Sequence, residues 1–325
     1  MGFETAASFS SPTGALLSLR QAPASGDARA ILLIAHGLAE HAARYQRFAR
    51  LLSFRGMQVY AWDHRGHGHT TAPDAPLGRF AAKDGADRVL EDLRAVRDHA
   101  AAANPGLPVV LFGHSMGAMI ATAAAEAYPT LFDGLAIWNA DLDPGLAGRA
   151  GTVILKAERF FKGSDVPSAY APRFTFEAWA RTIAGARTEF DWLSRDADAV
   201  RAYIDDPLCG FSPSVSMWLD VLELAACAGR SDRLARLPKH LPVNIVGGSA
   251  DPATRGGKAM RWLARRMTAL GMTNIDLTVY DGMRHETLNE IGSDDAMRAF
   301  SAWVDGIVAR QAAQRPEGNG EGTVR

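Results

Sequence analysis

Between residues 30 and 112 the chain alternates short, uniformly apolar runs with longer amphipathic segments, at 30–35, 45–55, 57–62, 87–103 and 108–112. A strand buried on both faces has no reason to alternate polar with apolar residues, and runs of five or six residues are too short for helices. The alternation predicts strand, helix, strand, helix, strand: a parallel sheet covered by helices. Residues 6–10 and 16–21 flank Ser11-Pro-Thr-Gly14, a turn signal that predicts an antiparallel hairpin at the sheet edge. A helix at 116–127 and a strand at 134–139 continue the pattern.

From 142 to 230 the rhythm stops. Helical pieces at 156–161, 176–183 and 215–226 are separated by proline and glycine. Strand character returns at 243–247, followed by a helix from about 254 to 270, a strand at 275–280 and a helix at 295–308. The expected fold class is α/β: a mostly parallel central sheet with helices on both faces and an inserted helical segment. Residues 1–141 and 231–310 form the two parts of the core, and 142–230 the insertion. Residues 311–325, polar and rich in glycine, read as a disordered tail.

Composition removes several function classes. The 35 basic and 36 acidic side chains leave a formal net charge of −1, without the basic patch that nucleic-acid binding requires. The longest aliphatic run, 30–35, falls far short of the roughly 18 apolar residues of a membrane span. Residues 1–19 lack a basic segment followed by an apolar one, and Cys209 and Cys227 are the only cysteines. A cytoplasmic protein without a disulfide framework is expected.

Gly113-His-Ser-Met-Gly117 follows one predicted strand directly and precedes a predicted helix. At such a turn Ser115 projects its hydroxyl above the sheet, and the helix beginning at Met116 aims its amides and positive dipole end at the same place. A serine hydroxyl is a poor nucleophile until a base takes its proton, and the base needs a carboxylate to fix its tautomer. Asp251 in Gly248-Ser-Ala-Asp-Pro252 and His285 in Gly282-Met-Arg-His-Glu286 each follow a predicted strand, on the edge where open α/β sheets carry ligands. Asp141 is the rival acid; it opens the insertion, so Asp251 takes preference. Asp281 and Glu286 flank the histidine too closely to orient its ring. The oxyanion donors are expected to be the amides of Met116 and of Leu38, in His36-Gly-Leu-Ala-Glu-His41. The remaining histidines read as surface or supporting groups, His99 and His240 among them. The two cysteines read as buried thiols with no metal-site spacing.

His36-Gly-Leu-Ala-Glu-His41, Asp63-His-Arg-Gly-His-Gly68, Gly113-His-Ser-Met-Gly117, Gly248-Ser-Ala-Asp-Pro252 and His285, in this order, resemble the monoacylglycerol lipase and lysophospholipase branch of the α/β-hydrolase superfamily. The likeness spans residues 6–310 and includes Asp205-Asp-Pro-Leu-Cys209. It implies an α/β-hydrolase fold in which 142–230 form a cap over the nucleophile. It also implies that 63–68 form a structural loop with Arg65 paired to a carboxylate, and it gives His64, His67 and His69 no catalytic role. The family places glycine where Ala39 stands, a departure that stiffens the turn and leaves the Leu38 amide in place. The insertion holds 11 of the chain's 27 aromatic residues, where an even spread would give about seven, and Met217, Trp218, Val221, Leu222 and Leu224 share one helical face opposite Asp220 and Glu223. Together these favour an apolar tunnel for an acyl chain.

The expected activity is hydrolysis of carboxylic esters, monoacylglycerols or lysophospholipid-type single-chain lipids, without metal or organic cofactor. Transient contact of the cap with a membrane surface is compatible with this, and oligomeric state is left open. Two alternatives stand beside it: an amide hydrolase similar to the proline-type aminopeptidases, with Glu158, Glu177 or Glu189 available for an amino group, and a catalytically silent ligand-binding member. A dehalogenase is disfavoured because position 115 is serine rather than a carboxylate.

Overall fold

A computed structural model describes residues 3–314. Among them, eight strands form one sheet: β1 (Ala7–Ser10), β2 (Leu16–Ala22), β3 (Ala30–Ala35), β4 (Met57–Trp62), β5 (Val109–His114), β6 (Gly134–Trp138), β7 (Val243–Gly248) and β8 (Ile275–Tyr280). Their spatial order is β1-β2-β4-β3-β5-β6-β7-β8. The expected edge hairpin is present, with β1, β2 and β4 joined antiparallel, and every later pairing is parallel. The helices are α1 (Gln46–Phe54), α2 (Gly85–Ala103), α3 (Met116–Ala127), α4 (Gly145–Lys162), α5 (Ala171–Phe174), α6 (Phe176–Arg181), α7 (Ala197–Asp205), α8 (Val215–Ala228), α9 (Ser231–Leu234), α10 (Lys258–Ala269) and α11 (Ser293–Gln314).

Side chains alternate across each strand and build two apolar layers. Ile31 and Leu33 of β3, Leu111 of β5 and Ile137 of β6 pack with α2, α3, α8 and α10. Leu32, Ile34, Phe112 and Trp138 pack with α1 and α11 on the other face. Both faces of β3, β5 and β6 are therefore dry, which is why these strands read as unbroken apolar runs, whereas the edge strands β1 and β8 are largely exposed. The parallel register aligns Ala35 with Trp62 and Gly113, and His114 with Trp138, so the loops after β3, β4, β5, β6, β7 and β8 leave from one edge. Strand order reverses between β3 and β5. A crevice opens at such a reversal, and here it lies between the loop at 36–41 and Ser115.

Several expectations on element boundaries need correction. The piece expected at 156–161 is only the end of α4, which begins at Gly145; Gly145, Gly148 and Gly151 hide a helix whose stability comes from packing on α8. α7 was not expected at all, although Asp196 caps it by accepting from the amides of Asp198 and Ala199. α10 starts at Lys258 rather than near 254, because Arg255, Gly256 and Gly257 all have positive φ and hold a turn. The tail expected at 311–325 begins later: α11 runs through Gln314, and 315–325 lie outside the described residues. The histidines are far more buried than expected, with His36, His41, His64, His67 and His114 all inside beside His285. The loop at 63–68 is structural as expected: Arg65 donates to Asp74 at 2.7 Å and to the carbonyl of Phe80 at 2.7 Å.

Glu126 of α3 is buried, and neither carboxylate oxygen has a hydrogen-bond partner. Burial raises its pKa to about 9, against a smaller opposing pull from Arg233 and Arg236. A carboxyl that stays protonated in the fold but ionises in the unfolded chain loses its stabilising contribution as pH rises from about 4.5 through 9. Glu126→Gln is therefore expected to stabilise the protein by about 2–3 kcal/mol at pH 8 and by little at pH 5. Thermal melts of both proteins at the two pH values check this, and equal gains at both would contradict it.

Candidate active site

Ser115 joins β5 to α3 at φ 55 and ψ −120, a backbone conformation that costs a non-glycine residue about 1–3 kcal/mol. Both flanking glycines are sterically required. A Cβ on Gly113 would lie 2.3 Å from the carbonyl oxygen of Gly117, and one on Gly117 would lie 2.1 Å from that of Ala35. The Ser115 amide donates to the carbonyl of Trp138 at 2.9 Å, which fastens the turn to the neighbouring strand.

The structure brings three of the sequence-derived candidates into one hydrogen-bonded line. His285 Nε2 lies 2.9 Å from Ser115 Oγ, and His285 Nδ1 lies 3.1 Å from each oxygen of Asp251. Asp251 is fully buried and also accepts from Asn139 Nδ2 at 3.0 Å, Thr254 Oγ1 at 2.9 Å and the Ala253 amide at 2.9 Å. Burial alone would raise its pKa; the facing His285 and the bonds from His285, Asn139 and Thr254 outweigh burial and hold it below the usual carboxylate range. Asp141, the rival acid, pairs with Arg255 at 3.0 Å and makes no bond to His285. Asp281 accepts from Ser249, and Glu286 pairs with Arg44.

Leu38 and Met116, the expected oxyanion donors, line the same cavity as Ser115 and His285, from opposite sides of the crevice. This cavity of about 380 Å³ continues between Leu155 of α4, Phe176 and Trp179 of α6, Trp192, and Trp218, Val221 and Leu222 of α8. The predicted apolar face of α8 thus divides: Met217 and Leu224 pack toward the sheet, while Trp218 and Leu222 reach the cavity. Trp192 and Trp179 approach the His285 ring at 5.0 and 6.2 Å between centroids and shield it from water.

Residues 26–292 match the family model Hydrolase_4, described as serine aminopeptidase, S33. The chain belongs to this family. It is 28% identical over 281 residues to the monoacylglycerol lipase of Mycolicibacterium smegmatis, covering 86% of this chain and 89% of that protein. It is 30% identical over 286 residues to the monoglyceride lipase homolog of Monkeypox virus, covering 85% and 89%. The crystal structure of a thermostable carboxyl esterase from Bacillus coagulans superposes with a TM-score of 0.86 over 95% of this chain and 99% of that one, at 24% identity. The fold is that of the α/β-hydrolases, and the chain is a hydrolase of the monoacylglycerol lipase-like branch.

In this Hydrolase_4 member Ala39 has φ 57, a left-handed conformation that favours glycine. Gly210 N–H and Tyr203 O–H donate to the Ala39 carbonyl at 2.9 and 3.0 Å, and this tie to the inserted segment holds the strained turn. A further correction concerns Cys209, for which no histidine neighbour was expected. The fold brings His41, Asp206 and Cys209 within 4.8 Å of one another, and Cys227 is part-exposed rather than buried. His41 and Asp206 are already bonded to each other at 2.8 Å, a second tie between the same two segments.

Sequence reasoning missed Asn139, which holds Asp251 through Nδ2 and accepts from Thr287 through Oδ1. Its φ of 51 marks a turn that asparagine tolerates, and an asparagine immediately after a strand was the available signal. It also missed Thr254, three residues beyond the acid, and the group formed by Glu40, Arg44, His114 and Glu286. Those four have no short-range signature, because contacts across the crevice assemble them.

Proposed function

We propose that this protein is a serine hydrolase that cleaves carboxylic esters of single-chain lipids, monoacylglycerols first among them. One observation carries the reading: the Ser115 hydroxyl, presented on a strained turn 2.9 Å from His285 Nε2, at the base of an apolar cavity. Ser115 Oγ attacks the ester carbonyl while His285 Nε2 takes its proton, then returns that proton to the departing alcohol. Asp251 holds the Nδ1–H and stabilises the imidazolium. The Leu38 and Met116 amides receive the oxyanion. Water, activated by the same histidine, releases the acid from the acyl-enzyme.

Residues 142–230 act as a cap that shapes the acyl site, where each buried methylene contributes about 0.8 kcal/mol. The basic groups at the cavity wall are already taken up by carboxylates: Arg44 by Glu40 and Glu286, Arg255 by Asp141, and His114 by Glu40. A phosphate would find no spare cation there, which favours a neutral glycerol head over a lysophospholipid. The amide reading loses support for a related reason. Glu158 accepts from Ser168 and the Ala169 amide, Glu177 pairs with Arg181, and neither these nor Glu189 line the cavity.

Initial rates on monoacylglycerols of increasing chain length, beside lysophosphatidylcholines and aminoacyl anilides, test the proposal. Monoacylglycerols are expected to be the best substrates, and faster anilide turnover would overturn it. Failure of the folded protein to react with a fluorophosphonate would favour a silent binding protein instead.

Leu146, Val153 and Phe160 of α4, spaced seven residues apart, form one stripe, and with Phe161 they are 68–83% exposed. Among the described residues no helix is long and apolar enough to cross a membrane. We propose that this stripe makes transient contact with a lipid surface. Replacing both Phe160 and Phe161 by Asp is expected to lower the rate on vesicle-borne substrate by about ten-fold or more, since each phenyl ring is worth about 1.5 kcal/mol on burial. The rate on a short soluble ester should stay unchanged, and equal effects on both substrates would reject the contact.

A further inference from the structure

Beside the candidate nucleophile lies a second buried histidine for which the scheme above has no use. His114, the last residue of β5, has Nδ1 3.3 Å from Glu40 Oε1 and Nε2 3.0 Å from the backbone carbonyl oxygen of His285. Carbonyl oxygens only accept, and Glu40 has every reason to be ionised: it also accepts from the Gly37 amide at 2.6 Å, Tyr45 O–H at 2.8 Å and Arg44 at 2.8 Å. A ring that satisfies both partners carries a proton on each nitrogen.

A count of charges leads to the same place. Arg44 bridges Glu40 and Glu286, at 2.8 Å to the first and 2.5 and 2.7 Å to the second. Two carboxylates and one guanidinium leave one negative charge over in a buried cluster, and an unpaired buried charge is strongly destabilising. A cationic His114 makes the cluster neutral. The other titratable groups around it are His36, in the loop just after β3, His285, whose ring centroid is 5.0 Å away, and Asp251 behind that ring. Burial works against charge on His114, but the hydrogen bond and charge of Glu40 outweigh it and raise the pKa of the ring. Burial works against charge on Glu40 too, and the His114 bond and the Arg44 charge overcome it.

We infer that His114, held as a cation by Glu40, is a positioning residue that locks the oxyanion loop and the His285 loop onto the turn that presents Ser115. The inference rests on the proposed role of Ser115. Glu40 grips the Gly37 amide, one residue before the Leu38 donor, while His114 grips both Glu40 and the carbonyl of the candidate base. A neutral ring has one N–H and releases one of the two loops.

Two measurements test this. In protein labelled with 15N-histidine, the His114 signals, assigned by their loss in His114→Asn, are expected to show both ring nitrogens protonated at pH 7.5. Glu40→Gln should return them to the neutral pattern. In kinetics, His114→Asn is expected to lower kcat by about thirty-fold or more with KM within about three-fold, and to remove an alkaline inflection from the kcat profile. An unprotonated ring nitrogen in the wild type at pH 7.5 overturns the inference, as does a His114→Asn kcat within three-fold of wild type. Should His114→Asn fail to fold, Glu40→Gln supplies the assignment and the wild-type spectrum decides. That spectrum does not depend on activity, so a failure of the Ser115 reading would be seen separately, as full turnover in Ser115→Ala.

Discussion

Ser115→Ala is expected to reduce ester turnover by about 10⁴-fold or more and to abolish fluorophosphonate labelling, while the protein remains folded. The Ser115 side chain contributes the only hydroxyl within hydrogen-bonding distance of His285 among the described residues. Alanine keeps the Cβ and the φ of 55, so the turn held by Gly113 and Gly117 survives, and a melting temperature close to wild type should accompany the loss of activity. Asp251→Asn should lower kcat by about 10³–10⁴-fold, because an amide facing Nδ1 favours the wrong histidine tautomer. Asp141→Asn removes only a partner of Arg255 and should cost less than about ten-fold. Turnover that persists in pure Ser115→Ala protein, or the reverse ranking of the two aspartates, would remove the basis of the mechanism.

Acid should unfold this protein steeply. His36, His64 and His67 are fully buried in one cluster, with ring centroids 4.3–6.3 Å apart. Burial lowers the pKa of all three, that of His67 to about 3, helped in His64 and His67 by the neighbouring rings. A histidine whose folded pKa lies below its unfolded value of 6.5 stabilises the protein above pH 6.5 and loses that contribution as pH falls toward its folded value. His67 contributes about 1.4 kcal/mol per pH unit between about pH 6 and its folded value of about 3, and His64 and His36 act in the same direction. Against a total stability of about 5–15 kcal/mol, losses of this sign shift the balance toward unfolding as pH falls below about 6. His114 works in the opposite direction and only above pH 6.5, where the unfolded chain loses a proton that the fold retains. Urea titrations between pH 7 and 5 measure the slope, and His67→Asn should reduce it by about one proton. A wild-type slope near zero, or one unaffected by that substitution, contradicts the account.

The central strands were legible because both faces of the sheet are dry there, so β3 and β5 could be read almost to the residue. Ser115, Asp251 and His285 were legible for a different reason. Each sits just after a strand, and a parallel register delivers every strand end to the same edge. The inserted segment was read poorly. The α4 glycines look like breaks until α8 is in place to pack against them, and α7 carries no long apolar period.

The alternation of dry strands with amphipathic helices and the spacing of Gly113, Ser115 and Gly117 determined, by themselves, an α/β sheet with a serine raised above its edge. Both are local: a strand shows its burial in its own composition, and a strained turn shows its steric needs in its own glycines. Which acid reaches His285, which aromatic rings wall the cavity, and how Glu40, Arg44, His114 and Glu286 share their charges were decided only by the tertiary structure. Those contacts join segments as much as 242 residues apart. Their energies depend on burial and on hydrogen-bond geometry, which exist only once the chain has folded.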